Sequence, residues 1–285
     1  MNTIKVGIVG PIERAKVWEQ RLRPFASIKE VVISNQQEAV SDVDACIILE
    51  NGKSSFTDAL KAVRFGQHVF LVSRIPTERA NVEKLYHAAE ESNVILQFAH
   101  WATFSPSSQW MMNHIYKPKL IHIRKDIPRS AFLDYDAPFN QIWLEDLGLC
   151  IKWMNSSIHH VEANLIRLNN EEEIAIQIYM RFDSGSTAVI FVNTMSSESR
   201  HERFAANKDI SVQCDVSTHS LRIAHTVPNS NHYFERKNLQ GEEPADIAVK
   251  LFLKSIHLKT PSPFSGYEAL QLVNIIQKIN EQVVL

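Results

Sequence analysis

Hydrophobic and polar positions follow two regimes along the chain. Up to about residue 117, short apolar runs ("KVGIVG", "KEVVIS", "DACIILE", "QHVFLVS", "VILQFAH") are strand-sized. Between them lie segments with helical spacing: "ERAKVWEQRL", a short "NQQEAVSDV", "SSFTDALKAVRFG", "PTERANVEKLYHAAEESN" and "SPSSQWMMNHIY". Helix punctuation agrees with this division. Gly66 stops one helix as a C-terminal glycine does, Pro76 and Thr77 start the next, and Ser105 with Pro106 supplies an N-cap and first position. Strands alternating with helices at this spacing imply βαβ crossovers and a doubly wound parallel sheet of the Rossmann type.

From Lys119 the pattern changes. "KLIHIRKDIPR" reads as one long strand and "NQIWLEDLGLCIKWMN" as a helix with an apolar face. Strand candidates follow in a run: "VEANLIRL", "EIAIQIYMRF", "STAVIFVNTM", "DISVQCDV" and "HSLRIAH", the second and third joined by a "DSG" hairpin turn. "SESRHERF" mixes both charges and reads as a solvated loop. Two helical segments, "PADIAVKLFLKSIH" and "GYEALQLVNIIQKINEQ", close the chain. Strands in series with helices on one face predict an α+β domain with a large, mainly antiparallel open sheet. The expected domains are 1–117 and 118–285, the terminal helix packing back on the first.

Composition removes several function classes. The 45% hydrophobic content is that of a folded globular chain, and 30 Lys and Arg against 32 Asp and Glu leave a net charge of −2. No long-range field favours nucleic acid or an anionic membrane. The three cysteines (Cys46, Cys150, Cys214) are odd in number and widely spaced, which predicts a reduced cytoplasmic setting. The histidines show no ligand spacing, so no metal site is expected.

The first βα turn raises the chemical question. In "IKVGIVGPIERA" the strand ends at Gly10, where a dinucleotide fingerprint G-x-G-x-x-G would begin; the second and third glycines then fall on Ile12 and Ala15. A Cβ at the second position obstructs the pyrophosphate, Pro11 removes an N–H, and Glu13 puts a negative charge in the first helical turn. The second strand ends in Ser34 and Asn35, with no carboxylate for a ribose. Gly10, Pro11, Ile12, Ser34 and Asn51 are therefore cofactor positions by place only, open to being vestigial.

The order of phrases resembles the glucose–fructose oxidoreductase/inositol dehydrogenase (Gfo/Idh/MocA) family. The phrases are "IKVGIVG", "SDVDACIILENGKSSFTDALKAVRFGQHVFLVSRIPT", "FSPSSQWM", "EDLGLCIKW" and the ending "PADIAVKLFLKSIHLKTPSPFSGYEALQLVNII". The resemblance implies an N-terminal domain that binds NAD or NADP and a sheet domain that caps the nicotinamide and often forms a subunit interface. It also implies hydride transfer to or from a carbon bearing a hydroxyl or carbonyl, with a Lys in E-K-P and a His in D-x-G-x-H-x-x-D.

Carried over residue by residue, the family pattern is broken. The E-K-P triplet falls on Val72, Ser73 and Arg74, and a guanidinium does not shuttle protons. The R-F-x-P arginine becomes Thr103. Asp146 and Gly148 keep their places, while the His becomes Cys150 and the final Asp becomes Trp153. A thiol acts as acid or base only when its pKa is lowered, and Cys150 among Leu149 and Ile151 reads as a small buried hydrophobe.

Catalytic-position candidates are thus Arg74, Asp146 and Cys150, with Ser73, His100, Trp101 and Trp153 expected to line an interdomain ligand cleft. The leading reading is a fold-retaining homologue without standard NAD(P)-dependent hydride transfer, acting by binding a small ligand or as a non-catalytic subunit. The alternative is an active NAD(P)-dependent oxidoreductase on a sugar, cyclitol or related substrate, its acid or base drawn from elsewhere, for example His100, Asp126 or Tyr135. A third reading makes the open sheet face of the second domain an interface for a homo-oligomer, its mark being the alternation of Ile174, Ile176, Ile178 and Met180.

Overall fold

A computed structural model describes residues 3–50, 54–74, 78–133, 138–169, 172–226, 233–239 and 241–283. The expected cofactor position Asn51, the helix-start signals Pro76 and Thr77, and the candidate base Tyr135 lie outside the described residues. The chain forms two compact units: Met1–Trp101 with Pro244–Asn274, and Ala102–Glu243 with Ile275–Leu285.

In the first unit β1 (Ile4–Val9), α1 (Ile12–Leu22), β2 (Ile28–Ser34), β3 (Ala45–Leu49), α2 (Ser54–Arg64), β4 (His68–Val72), α3 (Arg79–Glu91) and β5 (Leu96–Phe98) alternate. The sheet runs β2-β1-β3-β4-β5, all parallel. The expected helix "NQQEAVSDV" is a single 3-10 turn, Gln37–Val40. Strands β3 and β4 are buried almost throughout, because helices cover both faces of a parallel sheet. Gly66 takes φ +77 and closes α2, as the punctuation predicts.

Next in the chain come α4 (Trp101–Phe104) and α5 (Pro106–His114), where Ser105 caps α5 by accepting from the Ser108 N–H. The second unit continues with β6 (Leu120–Pro128), α6 (Arg129–Leu133), α7 (Asn140–Met154), β7 (Ile158–Leu168), β8 (Glu172–Phe182), β9 (Thr187–Ser196), β10 (Arg200–Ala206), β11 (Ile210–Asp215), β12 (Ser220–His225) and β13 (Tyr233–Asn238). Its eight-stranded sheet has the order β13-β12-β11-β10-β6-β9-β8-β7, antiparallel except for β6 and β9. The architecture is the α/β plus large mixed sheet that the pattern predicts.

The closing helices are α8 (Pro244–Leu258) and α9 (Gly266–Val283). Helix α8 belongs to the first unit, where Trp18, Phe70 and Phe252 form an aromatic core with centroids 5.6 and 5.7 Å apart. The C-terminal turns of α9 belong to the second unit. There the Gln282 side chain accepts from Ala163 N–H and donates to the Val161 carbonyl, satisfying the free edge of β7.

Two departures matter for the site. The segment 197–204, read as a solvated loop, is largely strand β10, paired with β6 on one side and β11 on the other. The apolar alternation of β8 is core: Ile176, Ile178 and Met180 are buried, so this is not an interface-forming side of the sheet. The opposite face carries Glu162, Tyr179, Val189, His122, Phe204, Gln213 and Arg222 in one cross-strand row, and mixes polar and apolar side chains exposed to differing degrees.

Candidate functional site

In the first unit the expected residues gather at the carboxyl ends of the parallel strands, the edge where open α/β sheets bind ligands. Gly10 follows β1, Ser34 ends β2, Ser73 and Arg74 follow β4, and His100 and Trp101 follow β5. Several of them also have local structural roles. Gly10 sits at φ +146, and a Cβ there would meet the Leu49 Cβ at 2.7 Å, so packing against β3 requires the glycine. Pro11 precedes α1 and its carbonyl accepts from Ala15. Ile12 is 52% exposed at the helix start and Glu13 occupies the first turn, paired with Lys16 at 3.1 Å. Ser34 Oγ accepts from Gln36 N–H, and Ser73 Oγ donates to the Arg74 carbonyl.

These residues do not fit a dinucleotide's pyrophosphate. The turn offers a branched side chain where the phosphates need bare backbone, and an acid where the helix dipole should meet an anion. Arg14, the cation in this turn, is engaged with the Glu50 carbonyl at 3.0 Å. Arg74 is exposed, and His100 is buried with its ring stacked on Phe264 at 4.0 Å. Trp101 is partly exposed.

The second unit holds a different arrangement, built on α7. This helix is apolar nearly all round, yet Asp146 lies at its centre with 1% exposure. Strand β10 turns His201, Arg203 and Ala205 to the same side. The Arg203 Nε and Nη2 donate to Asp146 Oδ1 at 3.0 and 2.8 Å, and Nη1 donates to Ser108 Oγ at 2.8 Å. His201 Nε2 lies 2.9 Å from Asp146 Oδ2. Burial works against a charged Asp146, but His201 and Arg203 outweigh it and hold the carboxyl well below the usual range. An ionised carboxylate only accepts, so His201 donates from Nε2 to Asp146.

Glu145, next along the helix, is half-buried, and its carboxylate accepts from Ala102 N–H at 2.8 Å. Burial pushes its pKa up to about 7, and the Asp146 charge adds to the rise. Lys125 on β6 stands opposite His201 and donates to the Ile142 carbonyl at 3.0 Å. The cluster thus joins a fixed ion pair to a carboxyl that titrates near neutrality, a combination associated with acid–base sites and with structural networks alike.

Cys150, one turn beyond Asp146, is fully buried, and burial followed by the Asp146 charge pushes its thiol up. Trp153 is also buried and donates to the Ile115 carbonyl at 2.9 Å, which makes it a packing residue rather than a lining one in this unit. Asp126 belongs to the other face of the sheet, where Arg124 Nε binds it at 2.6 Å. Among the described residues no group of three His, Cys, Asp or Glu is placed to hold a metal ion. No helix among them is long and apolar enough to cross a membrane.

Of the sequence candidates, the structure brings Asp146 and Cys150 together. Glu145, Lys125, His201 and Arg203 were missed. Their signal was present: two adjacent acids in an apolar helix, and cations at alternate positions in "RHER".

No family model matches the chain, and no curated protein matches it. Solved structures do. UDP-N-acetylglucosamine 3-dehydrogenase GnnA from Acidithiobacillus ferrooxidans superposes with a TM-score of 0.79 at 16% identity, over 99% of this chain and 98% of that one. An NAD-binding oxidoreductase from Klebsiella pneumoniae gives 0.81 at 13%, over 99% and 97%. Levoglucosan dehydrogenase in complex with NADH and L-sorbose gives 0.78 at 11%, over 100% and 97%. The chain has the fold of the Gfo/Idh/MocA-type oxidoreductases.

Proposed function

We propose that this protein keeps the oxidoreductase fold without the standard NAD(P)-dependent hydride-transfer site, and serves to bind a small polar ligand or as a non-catalytic subunit. One observation carries this reading. The position that the resemblance gives to a catalytic histidine holds Cys150, a thiol excluded from solvent and made less acidic by its surroundings. Such a group neither donates nor accepts a proton near neutral pH. The obstructed turn at Ile12 supports the same reading. NAD or NADP is then not required, and the three buried free cysteines suit a reducing cytoplasm.

The test is titration with NADH and NADPH, followed by nicotinamide fluorescence and thermal shift. No response up to about 1 mM supports the proposal, and micromolar binding, near −8 kcal/mol, overturns it.

A second reading, an active oxidoreductase on a sugar, cyclitol or related hydroxyl or carbonyl compound, is favoured by the Asp146–His201 pair. The His201 imidazole is oriented by a carboxylate 2.9 Å from its Nε2, an arrangement used in acid–base sites. If turnover is found, His201→Asn is expected to abolish it and Cys150→Ala to leave it within about threefold. Homo-oligomerisation through the open sheet face remains part of the proposal. Support comes from Val189 and Phe191, half-buried on the open side of strand β9; light scattering on Phe191→Glu against the parent chain tests it.

A further inference from the structure

In the first unit the amino ends of β4 and β5 are joined through a side chain that neither reading uses. Strand β4 opens on His68, which is half-buried. Its Nδ1 accepts from the Ile95 N–H at 2.9 Å. The Ile95 carbonyl in turn accepts from Val69 N–H at 2.8 Å, so one backbone bond and one imidazole bond hold this residue to β4. His68 is itself fixed on its other side, where its N–H donates to the Asp44 carbonyl at 3.0 Å. Gly10 and Ser73 stand at the opposite ends of these parallel strands.

The strand secured by this bond has few others. Strand β5 is three residues long and lies at the end of its sheet, paired with β4. Its far edge is covered by two bonds: Phe98 N–H donates to the Phe264 carbonyl at 2.9 Å, and Ser262 Oγ to the Leu96 carbonyl at 3.0 Å. The chain enters β5 from α3 through a left-handed residue, Asn93 at φ +54. Val94 and Ile95 then line a cavity of about 460 Å³ together with Tyr86, Ser262 and Tyr267. The Ile95 N–H is therefore an attachment point both for β5 and for one wall of that cavity.

A backbone N–H only donates, so Nδ1 is bare and the neutral ring carries its hydrogen on Nε2. An imidazolium has a hydrogen on each nitrogen, and the one on Nδ1 would face the Ile95 hydrogen. Burial acts in the same direction and lowers the His68 pKa, while the Asp44 charge offsets it in part. Asp44 is itself engaged, its Oδ2 accepting from the Lys5 N–H at 2.7 Å. The Lys5 ammonium is turned to Asp42 at 3.3 Å and Glu30 at 3.8 Å. At the end of α3, Glu90 and Glu91 are exposed to solvent. We propose that His68 is a pH-operated clasp: the neutral ring holds Ile95 and the entry to β5, and the protonated ring releases them. The sign follows from the lowered pKa. The contribution of the clasp is complete above about pH 6.5 and is lost as pH falls through the folded value. The device rests on neither reading of the function and on no cofactor.

The experiment is NMR on the isotope-labelled full chain, following the His68 ring nitrogens and hydrogen exchange at the Ile95 amide. The Ile48 amide of β3 serves as the reference for global opening. At about pH 7.5 the ring is expected as the Nε2–H tautomer, with a titration midpoint below about 6.5. The neutral fraction falls about tenfold for each pH unit below that midpoint. Ile95 protection relative to Ile48, corrected for intrinsic exchange, is therefore expected to drop at least about fivefold one unit below it. His68→Gln offers the same N–H an uncharged acceptor and is expected to keep the relative protection constant over the range. Asp44→Asn removes the charge that favours the imidazolium and is expected to move the His68 midpoint to lower pH. A midpoint at or above about 6.5 overturns the proposal, as does an Nδ1–H tautomer at about pH 7.5. Constant relative protection in the parent chain also overturns it, whether or not the variants fold. So does an acid loss that His68→Gln reproduces, since the opening then has another cause. The nicotinamide titration, run at about pH 7.5 with the clasp closed, is untouched by either result.

Discussion

The βα turn after β1 and the charged core under α7 have both departed from the resemblance, and in opposite ways. At the turn, the residues are those of an ordinary helix start: Ile12 exposed, Glu13 paired with Lys16, and Gly10 where Leu49 leaves no space for a Cβ. Under α7 the buried thiol of Cys150 lies one turn from Asp146, an acid surrounded by Arg203 and His201 from strand β10. One region is built as an ordinary helix start. The other holds a buried, charged, costly network. A buried ion pair is weak evidence for stability in itself, so its presence in an apolar helix points to specificity or function.

The largest expected effect separates the two regions. Asp146→Ala leaves Arg203, 3% exposed, as an uncompensated buried charge, and is expected to cost about 3–5 kcal/mol, or about 10 °C in melting temperature. Urea and thermal unfolding measure it; a loss below about 1 kcal/mol would show that Arg203 finds water instead. The pH dependence carries the same information. The folded pKa of Asp146 lies below its unfolded value of about 3.9, so its contribution is complete above that pH and fades as pH falls through the folded pKa. Asp146→Asn is therefore expected to flatten the acid limb of the stability profile.

Gly10→Ala ranks next, at about 2–4 kcal/mol, from the positive φ and the Leu49 contact. This loss is expected with or without cofactor present. A cofactor-dependent loss would return Gly10 to a phosphate role and break the contrast.

Glu145 gives a smaller effect of opposite sign. Its folded pKa, about 7, lies above the unfolded value of about 4.3, so the folded state holds a proton that the unfolded chain releases. Its contribution is complete below about pH 4 and lost as pH rises through 7. Glu145→Gln keeps an acceptor for Ala102 N–H and is expected to gain about 1–2 kcal/mol on the parent chain between pH 5 and pH 8. Equal slopes for both proteins over that window would show that Glu145 is ionised throughout.

Ile12→Gly is the smallest, no more than about 1 kcal/mol, the ordinary cost of glycine in a helix. Its value lies in binding: if Ile12 alone obstructs a pyrophosphate, the variant gains NADH affinity in the fluorescence titration. No gain assigns the obstruction to Pro11 and Glu13 as well.

Much of the fold was legible because its signals are local. Ser105 with Pro106 opens α5, Gly66 at φ +77 closes α2, and the "DSG" turn joins β8 to β9 through Gly185 at φ +73. The site was legible only at Asp146 and Cys150. Strand β10 was read as a loop because its inward positions are His201 and Arg203; without an apolar alternation, a buried cationic strand looks solvated. Strand β13 was missed for a related reason: it is an edge strand, exposed along nearly its whole length, and nothing in it needs to alternate.

The sequence by itself determined the order of strands and helices, the two kinds of sheet, and which residues stand at Ile12, Arg74 and Cys150. Periodicity and turn chemistry act over a few residues. Only the tertiary structure decided what surrounds those positions. Asp146 and Arg203 are 57 positions apart and meet because α7 packs on the sheet that contains β10. A buried acid becomes intelligible only when its counter-ion, brought by chain topology and not by spacing, is seen beside it.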